Sequence, residues 1–362
     1  MKIGLIGLPS VGKTTLFNLL TGSDITVSEF SVGKIDANIG ICKIPDDRID
    51  FLSNMYNPKK TTYATIETID VPGLVSGSST GKGVGNQFLD TIRKVDALVH
   101  VLRVFEDDKV IHVDGSIDPM RDIETINMEL LFADLGVIDN RIKRIETSKK
   151  VTKENLSELE VLKKCKTGLE QGLLIHNLEL KDDEKEHLKT FGFLSEKPMI
   201  LAANIDEQQQ ITKDYPFRDS LMEYSRKVNT PVIELCIKSE LEIAQLDPED
   251  RQAFMEDIGI SESGIDRLAK TTYNYLGLIS FLTAGQDEVR AWTIKRNTTA
   301  KKAAGKIHSD IERGFIRAEV CKFKDLKELG SMNKVKEKGL YSLEGKDYIV
   351  QDGDIINFRF NV

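Results

Sequence analysis

A glycine-rich segment near the start of the chain constrains the fold more than any other feature. Residues 7–14 read Gly-Leu-Pro-Ser-Val-Gly-Lys-Thr, which fits the phosphate-loop pattern of a glycine, four residues and then Gly-Lys-Thr. The apolar run before it, residues 3–6, predicts a buried strand, and the apolar spacing after it predicts a helix. Strand, phosphate loop and helix in this order predict a nucleoside triphosphate site, because loop N–H groups and a helix N-terminus both attract phosphate oxygens.

The residue types in this loop match the parts of a triphosphate and its metal ion. Lys13 is predicted to reach the β- and γ-phosphates and to stabilise charge during transfer, which makes it a catalytic candidate. Thr14 is predicted to bind Mg²⁺ through its hydroxyl and is a second catalytic candidate. The predicted contacts with the nucleotide in this loop are Ser10, Val11, Gly12, Lys13, Thr14 and Thr15.

A second strand signal ends in a carboxylate. The isoleucines and β-branched neighbours of residues 64–69 lead directly into Asp70-Val-Pro-Gly73. A carboxylate at the tip of a strand beside a phosphate loop is the Walker-B arrangement, so Asp70 is predicted to hold Mg²⁺, usually through water. Gly73 is predicted to present its N–H to the γ-phosphate and is the third catalytic candidate.

A third strand signal, residues 198–203, is followed by Asn204-Ile-Asp-Glu207. P-loop GTPases carry Asn-Lys-x-Asp at this point, so Ile205 replaces the lysine and Glu207 replaces the aspartate. Guanine is selected by a carboxylate that accepts from N1–H and the 2-amino group, and a carboxylate longer by one methylene is misplaced for that geometry. The sequence therefore predicts that Asn204, Ile205 and Glu207 contact the base, argues against guanine specificity and permits adenine.

Composition narrows the class of protein. The 362 residues suffice for two or three domains, and no run approaches the about 18 consecutive apolar residues of a membrane helix. A strand signal begins almost at once and leaves no room for a signal peptide, so a cytoplasmic location is expected. The four cysteines lie far apart, which predicts buried free thiols. The net charge of −8 argues against wholesale nucleic-acid wrapping, so any RNA contact requires a local basic patch.

Two further regions have hydrophobic patterns that differ from that of the nucleotide site. Within residues 122–193, apolar residues recur at three- and four-residue steps on both sides of a polar stretch, which predicts an inserted antiparallel helical hairpin. Residues 278–362 alternate strand-like runs with a short helix and predict a small α+β domain. The predicted class is α/β, with a nucleotide-binding domain over residues 1–121 and 194–277. Basic clusters at the hairpin tip and beside Trp292 are compatible with RNA and equally with a solvated surface.

The sequence resembles the YchF/Obg-like ATPase family, which belongs to the TRAFAC-class P-loop NTPases, over essentially its whole length. The resemblance is carried by the phosphate loop, Asp70-Val-Pro-Gly-Leu-Val75, Asn204-x-x-Glu207, Leu246-Asp-Pro-Glu-Asp-Arg251, Phe281-Leu-Thr-Ala-Gly-Gln-Asp-Glu-Val-Arg-Ala-Trp-Thr293 and residues 345–354. It implies a Ras-like nucleotide domain, an inserted coiled-coil hairpin and a C-terminal ubiquitin-like TGS domain. It also implies Mg²⁺ as cofactor, ATP as substrate in preference to GTP, and association with the large ribosomal subunit and RNA through the hairpin and the TGS domain.

Three positions bear on how such a site switches and hydrolyses. Leu74 stands where Ras-like GTPases have a water-positioning glutamine, so slow intrinsic hydrolysis is expected. Ser10 stands where the family usually has asparagine. Lys34 stands where the family has a threonine that binds Mg²⁺, and an ammonium cannot coordinate a cation, although it can pair with a phosphate. Leu74 agrees with the family, whereas Ser10 and Lys34 depart from it and suggest a divergent paralogue. Switch loops are predicted within residues 23–40 and 77–85.

Three functions are compatible with this sequence. The first is a slow Mg²⁺-dependent ATPase that associates with ribosomes or RNA in translation or stress regulation. The second is a nucleotide-gated ribosome- or RNA-binding module with negligible hydrolysis. The third, a conventional translational GTPase, is disfavoured by Ile205 and Glu207.

Overall fold

The structure is a computed structural model that describes residues 1–24, 37–72, 84–107, 109–110 and 112–361. Within these residues, no helix combines the length and the apolar character needed to cross a membrane. Contacts divide the chain into two units, one formed by residues 1–41 and 67–268 and the other by residues 42–66 and 269–362.

The described residues form twelve strands and fifteen α-helices. The strands are β1 (Lys2–Ile6), β2 (Asn38–Lys43), β3 (Lys60–Thr62), β4 (Thr65–Asp70), β5 (Ala97–Arg103), β6 (Met199–Asn204), β7 (Val232–Leu235), β8 (Leu278–Ala284), β9 (Glu288–Lys295), β10 (Phe315–Lys322), β11 (Tyr341–Glu344) and β12 (Asp354–Phe360). The helices are α1 (Lys13–Thr21), α2 (Asp47–Tyr56), α3 (Val84–Arg93), α4 (Pro119–Glu146), α5 (Lys153–Glu170), α6 (Asp182–Leu188), α7 (Glu207–Thr212), α8 (Arg218–Val228), α9 (Ile237–Gln245), α10 (Pro248–Asp257), α11 (Gly264–Tyr275), α12 (Ala300–Ile307), α13 (Ser309–Arg313), α14 (Phe323–Leu329) and α15 (Met332–Glu337), with a 3-10 turn at Ile175–Asn177.

The first unit is built on a six-stranded sheet in the order β2-β4-β1-β5-β6-β7. The strands from β4 to β7 in this order pair in parallel. All seven residues of β5 and all six of β6 are buried, as expected for inner parallel strands covered on both faces. Because the carboxyl ends of parallel strands share one edge, the phosphate loop after β1 lies at the same edge as the ends of β4 and β6.

One face of this sheet forms an apolar core with three helices. Side chains of β5 and β6 such as Leu98 and Leu201 pack in the same cluster as Phe88 of α3, Ile126 of α4 and Leu221 of α8. These residues are at most 1% exposed, so the cluster excludes water and holds the strand ends in place.

The helix pair predicted within residues 122–193 is present as α4 and α5. Asp118 caps α4 by accepting from the backbone N–H groups of its first turn. Ion pairs join Asp139 to Lys166 and Arg141 to Glu158. The later residue of α4 thus contacts the earlier residue of α5, so the two helices run antiparallel. Apolar side chains between the helices form a separate core that includes Leu131, Ile138, Ile145, Val161, Leu162 and Leu169.

The second unit contains another six-stranded sheet, in the order β11-β10-β12-β8-β9-β3. Strands β10, β11 and β12 pair antiparallel, as do β8 and β9, whereas β12 with β8 and β3 with β9 are parallel. Phe281 of β8 and Phe358 of β12 pack with the alanines of α12 in its core. This is the mixed α+β character predicted for the C-terminal residues.

The grouping of residues 42–66 differs from the sequence analysis, which places them in the nucleotide-binding domain. Strand β3 pairs with β9 of the second sheet, with Thr61 opposite Val289. Arg48 of α2 forms an ion pair with Asp352 at 2.8 Å. Backbone pairing and this contact both join the segment to residues far along the chain, which local sequence patterns do not reveal. The predicted domain bounds remain a prediction.

Candidate nucleotide-binding site

The phosphate loop bends through backbone conformations that require glycine at two positions. Gly7 has φ 148°, Gly12 has φ 98°, and Ser10 between them has φ 61°. A Cβ on Gly7 would lie 2.6 Å from the carbonyl oxygen of Val101. The spacing of glycines that identified the loop therefore reflects both conformation and close packing.

The first turn of α1 is open to an anion. The helix begins at Lys13, and its N-cap is Gly12, which has no side chain to accept from the first-turn N–H groups. No acidic residue lies in that first turn. The N–H groups and the positive end of the helix dipole are therefore available to phosphate oxygens.

Lys13 lies against the loop that precedes it. Its side chain is buried, and Nζ donates to the carbonyl oxygens of Gly7 at 3.3 Å and Leu8 at 3.5 Å. Burial lowers the pKa of Lys13, and the attraction of the Asp70 carboxylate acts in the opposite direction. The structure therefore places a cation in the curl of the loop, and its role in binding phosphate stays a prediction.

Thr14 and Asp70 form the second part of the site. The Thr14 hydroxyl donates to Asp70 Oδ2 at 3.0 Å. The other oxygen, Oδ1, is buried and has no hydrogen-bond partner among the described residues. Burial raises the pKa of Asp70, while Lys13, the Thr14 hydroxyl and the Asn38 amide lower it. A hydroxyl beside a carboxylate with an unused oxygen is a donor set that fits Mg²⁺, which prefers oxygen ligands.

Asn204 has a structural role that its sequence position did not reveal. The side chain is buried, its Nδ2 donates to the Val11 carbonyl oxygen at 3.0 Å, and its Oδ1 accepts from the Ile237 N–H at 3.2 Å. A Cβ on Gly12 would lie 2.9 Å from the same Nδ2, so the amide also packs tightly against the loop. Asn204 thus joins the phosphate loop to the start of α9.

The other two predicted base contacts lie in different surroundings. Ile205 is buried and lines a cavity of about 370 Å³ together with Tyr215 and Leu235. Glu207 is the first residue of α7, is half-exposed, and accepts from Lys238 Nζ at 2.9 Å. Lys238 was absent from the predicted set, although its position just after β7 places it at the ligand edge of the sheet.

The structure brings together most of the predicted site. Residues 10–15 form the loop and first turn of α1, Asp70 contacts Thr14, and Asn204 contacts Val11. Gly73, Leu74 and Lys34 lie outside the described residues, as do most of the two predicted switch loops.

A buried arginine at the end of β5 shapes the loop beyond this strand; its sequence position was compatible with a charge contact to a ligand and equally with a structural ion pair. Arg103 is 2% exposed, and its guanidinium donates to the carbonyl oxygens of Phe105 at 3.0 Å and Val110 at 2.7 Å. Its position at the carboxyl end of a buried strand was the available signal. Arg103 therefore satisfies loop carbonyls at the same edge of the sheet as the phosphate loop.

A cluster of His112, Asp114 and Asp122 lies at the start of α4. His112 Nε2 contacts Asp122 Oδ2 at 3.1 Å, and its Nδ1 accepts from the Asp114 N–H. Arg121 contacts both carboxylates, at 3.2 Å to Asp122 and 3.6 Å to Asp114. The groups of this cluster already have protein partners, so it is an ion-paired helix start.

His100 of β5 makes stability depend on pH. It is fully buried, and neither ring nitrogen has a hydrogen-bond partner in the described part of the chain. Burial, assisted by the charge of Lys13, lowers the pKa of His100 to about 3. Between this value and about 6.5 the unfolded chain binds a proton that the folded chain does not, so stability falls as pH falls through this window.

Between pH 7.5 and pH 5.5, protonation of His100 in the unfolded chain is expected to lower the free energy of unfolding by about 1.4 kcal/mol. His100→Leu lacks this group, so its free energy of unfolding should fall by that much less over the same pH range. Urea unfolding at the two pH values measures this difference. His187→Gln, at a half-exposed position whose imidazole contacts Ser157, is the matched control and should behave like the unaltered chain. Equal pH dependence in all three proteins would contradict the assignment.

Comparisons with known proteins find relatives over the whole chain. The family model YchF-GTPase_C, described as a protein of unknown function, matches residues 278–361, and the model described as 50S ribosome-binding GTPase matches residues 2–133. The Ribosome-binding ATPase YchF of Bacillus subtilis is 44% identical over 366 aligned positions, covering all of both chains. The protein of the same name from Haemophilus influenzae is 43% identical, covering all of this chain and 99% of that one.

A solved structure extends the likeness to three dimensions. The structure of the Schizosaccharomyces pombe YchF GTPase has a TM-score of 0.87 and 30% sequence identity, covering 99% of this chain and 97% of that chain. The predicted α/β class with a P-loop GTPase-like sheet is confirmed by this likeness and by the sheet order described above.

Proposed function

The chain belongs to the YchF family, and from that premise we propose that it is a P-loop nucleoside triphosphatase that binds ATP in preference to GTP and hydrolyses it slowly. Two neighbouring features carry the proposal. Lys13 lies in the curl of the phosphate loop, and beside it the Thr14 hydroxyl donates to Asp70 Oδ2 at 3.0 Å. The relatives named Ribosome-binding ATPase YchF are similar to this chain over its full length and support a nucleotide-hydrolysing role.

The residues of the site have distinct tasks in this proposal. The loop N–H groups and Lys13 bind the phosphates, and Lys13 stabilises the charge that develops as the terminal phosphoryl group leaves. Thr14 and Asp70 would hold Mg²⁺, which would neutralise charge on the phosphate oxygens. Gly73 contributes its N–H to the γ-phosphate. Leu74 cannot orient the attacking water as a glutamine would, so basal hydrolysis is slow.

The base preference rests on the residues that follow β6. Ile205 offers an apolar side chain, and Glu207 is held by Lys238 at 2.9 Å instead of standing free to accept from guanine. The Asn204 amide already binds the loop and α9. None of these three side chains offers a free carboxylate to the N1–H and 2-amino donors of guanine. Adenine lacks these donors and does not require such a carboxylate.

Ribosome association is part of the same proposal, and it comes from the names of the relatives. Two exposed basic groups support it, because Lys and Arg bind RNA phosphates. The first group, at the hairpin tip, is Lys143, Arg144, Lys149, Lys150 and Lys153, and the second is Lys295, Arg296, Lys301, Lys302 and Lys306. The proposal also includes a cytoplasmic location. Its domains are a nucleotide-binding domain over residues 1–121 and 194–277, the hairpin over 122–193 and a TGS domain over 278–362.

Competition between ATP and GTP for one site tests the base preference. With Mg²⁺ present, we expect ATP to bind at least about tenfold more tightly than GTP, which corresponds to about 1.4 kcal/mol. Isothermal titration with each nucleotide, with and without Mg²⁺, measures both constants. Tighter binding of GTP would refute the preference, and no binding of either nucleotide would refute the site.

Single-turnover hydrolysis with and without ribosomes tests the second half of the proposal. We expect a slow basal rate that ribosomes increase. A negligible rate in both conditions would instead favour a nucleotide-gated binding module.

A further inference from the structure

A lysine outside the predicted site contacts Glu207, one of the two residues that distinguish this chain from guanine-specific proteins. Glu207 opens α7 directly after β6, and Lys238 lies in the first turn of α9 after β7. Lys238 Nζ donates to Glu207 Oε2 at 2.9 Å. The hydrogen bond and charge of Glu207 raise the pKa of Lys238, so its ammonium is fully charged at neutral pH.

The two side chains meet because their backbones are fixed relative to one another. Asn204 accepts from the Ile237 N–H at 3.2 Å, immediately before Lys238, and β6 pairs with β7 through Asn204 and Leu235. The starts of α7 and α9 therefore lie side by side. The charge of Glu242, one turn further along α9, also raises the pKa of Lys238.

Recognition of guanine makes a specific demand on a carboxylate at this position. Its two oxygens must accept from N1–H and the 2-amino group together, since both donors point in one direction. In this chain, Oε2 of Glu207 already accepts from Lys238. Adenine carries an acceptor at N1 and no 2-amino group, so the ion pair of Glu207 with Lys238 costs adenine no hydrogen bond.

We propose that Lys238 is a specificity-determining residue that disfavours guanine by holding the Glu207 carboxylate in an ion pair. This inference rests on the proposed preference for ATP and names a residue that enforces it. The side chains of Glu207 and Lys238 are 50% and 67% exposed, so the pair is solvent-screened and its effect is modest. Glu207 is also one methylene longer than the aspartate of guanine-specific proteins, so its release recovers only part of guanine binding. We therefore expect a change of about two- to fivefold in relative affinity.

The test is the ratio of GTP to ATP affinity in the full chain with Mg²⁺, measured by titration for Lys238→Met and for the unaltered protein. Lys238→Met keeps most of the aliphatic stem and removes the charge. We expect its GTP affinity to rise about two- to fivefold relative to ATP. Lys227→Met, at an exposed position on α8, is the control and should leave the ratio unchanged.

A double variant separates release of the carboxylate from a general loss of charge. In Lys238→Met combined with Glu207→Gln, no carboxylate is available, so the gain in GTP affinity should disappear. An unchanged ratio in Lys238→Met, or a gain that persists in the double variant, overturns the role of Lys238. An unaltered protein that prefers GTP refutes the proposed function instead, so the two failures are distinguishable.

Discussion

Lys13→Met is expected to lower ATP hydrolysis by about a hundredfold or more, because loss of one preorganised donor to transition-state charge typically has an effect of this size. The nucleotide-free fold should tolerate the change. Lys13 Nζ contacts two loop carbonyls at 3.3 and 3.5 Å, and burial already opposes its charged form. The substitution therefore removes a phosphate-binding charge without opening a cavity.

Single-turnover hydrolysis of Mg²⁺-ATP measures the rate, and thermal unfolding without nucleotide measures the fold. Lys2→Met is the matched control, since Lys2 is a half-exposed lysine that pairs with Glu67 on β4 and lies outside the loop. It should keep the full rate. Hydrolysis by Lys13→Met within about tenfold of the unaltered protein would contradict the catalytic role, provided that the melting temperature is preserved.

Asp134→Ala is expected to reduce the free energy of unfolding by about 3 kcal/mol, the largest loss of stability that we predict. The carboxylate is 2% exposed and joins α4 to the segment before β6. It accepts from the N–H groups of Leu194 at 2.9 Å and Ser195 at 2.7 Å, and from the Ser195 hydroxyl at 2.6 Å. Alanine would leave these donors buried without a partner, and each such donor costs about 1–3 kcal/mol.

The full sum of these costs is not expected, because burial raises the pKa of Asp134 and its removal relieves an unfavourable buried charge. Urea unfolding measures the change. Asp139→Ala is the control on the same helix, where an exposed carboxylate pairs with Lys166, and it should cost less than about 1 kcal/mol. Equal losses in the two variants would show that Asp134 does not fasten α4 to the sheet.

The elements that sequence analysis located share a local signature. The phosphate loop needs glycine at two positions because of its own φ angles, so the spacing of residues 7–14 reports its shape directly. The hairpin of α4 and α5 follows from apolar residues at helical spacing, and Asp70 follows from a carboxylate at the end of a strand. In each case the residues that make the structure are neighbours in the chain.

The placement of other groups was decided by contacts that no local pattern contains. Pairing of β3 with β9 takes residues 42–66 into the second unit, and Arg103 turns to the carbonyls of the loop beyond it. The Asn204 amide and the pair of Glu207 with Lys238 depend on β6 and β7 lying side by side. The sequence by itself determined the α/β class and the phosphate loop, and it predicted the pair of Thr14 and Asp70 as metal ligands, because these follow from short-range geometry. Only the tertiary structure decided which groups contact the residues predicted to meet the base, because their hydrogen-bond partners come from separate strands whose pairing has no signature in either segment alone.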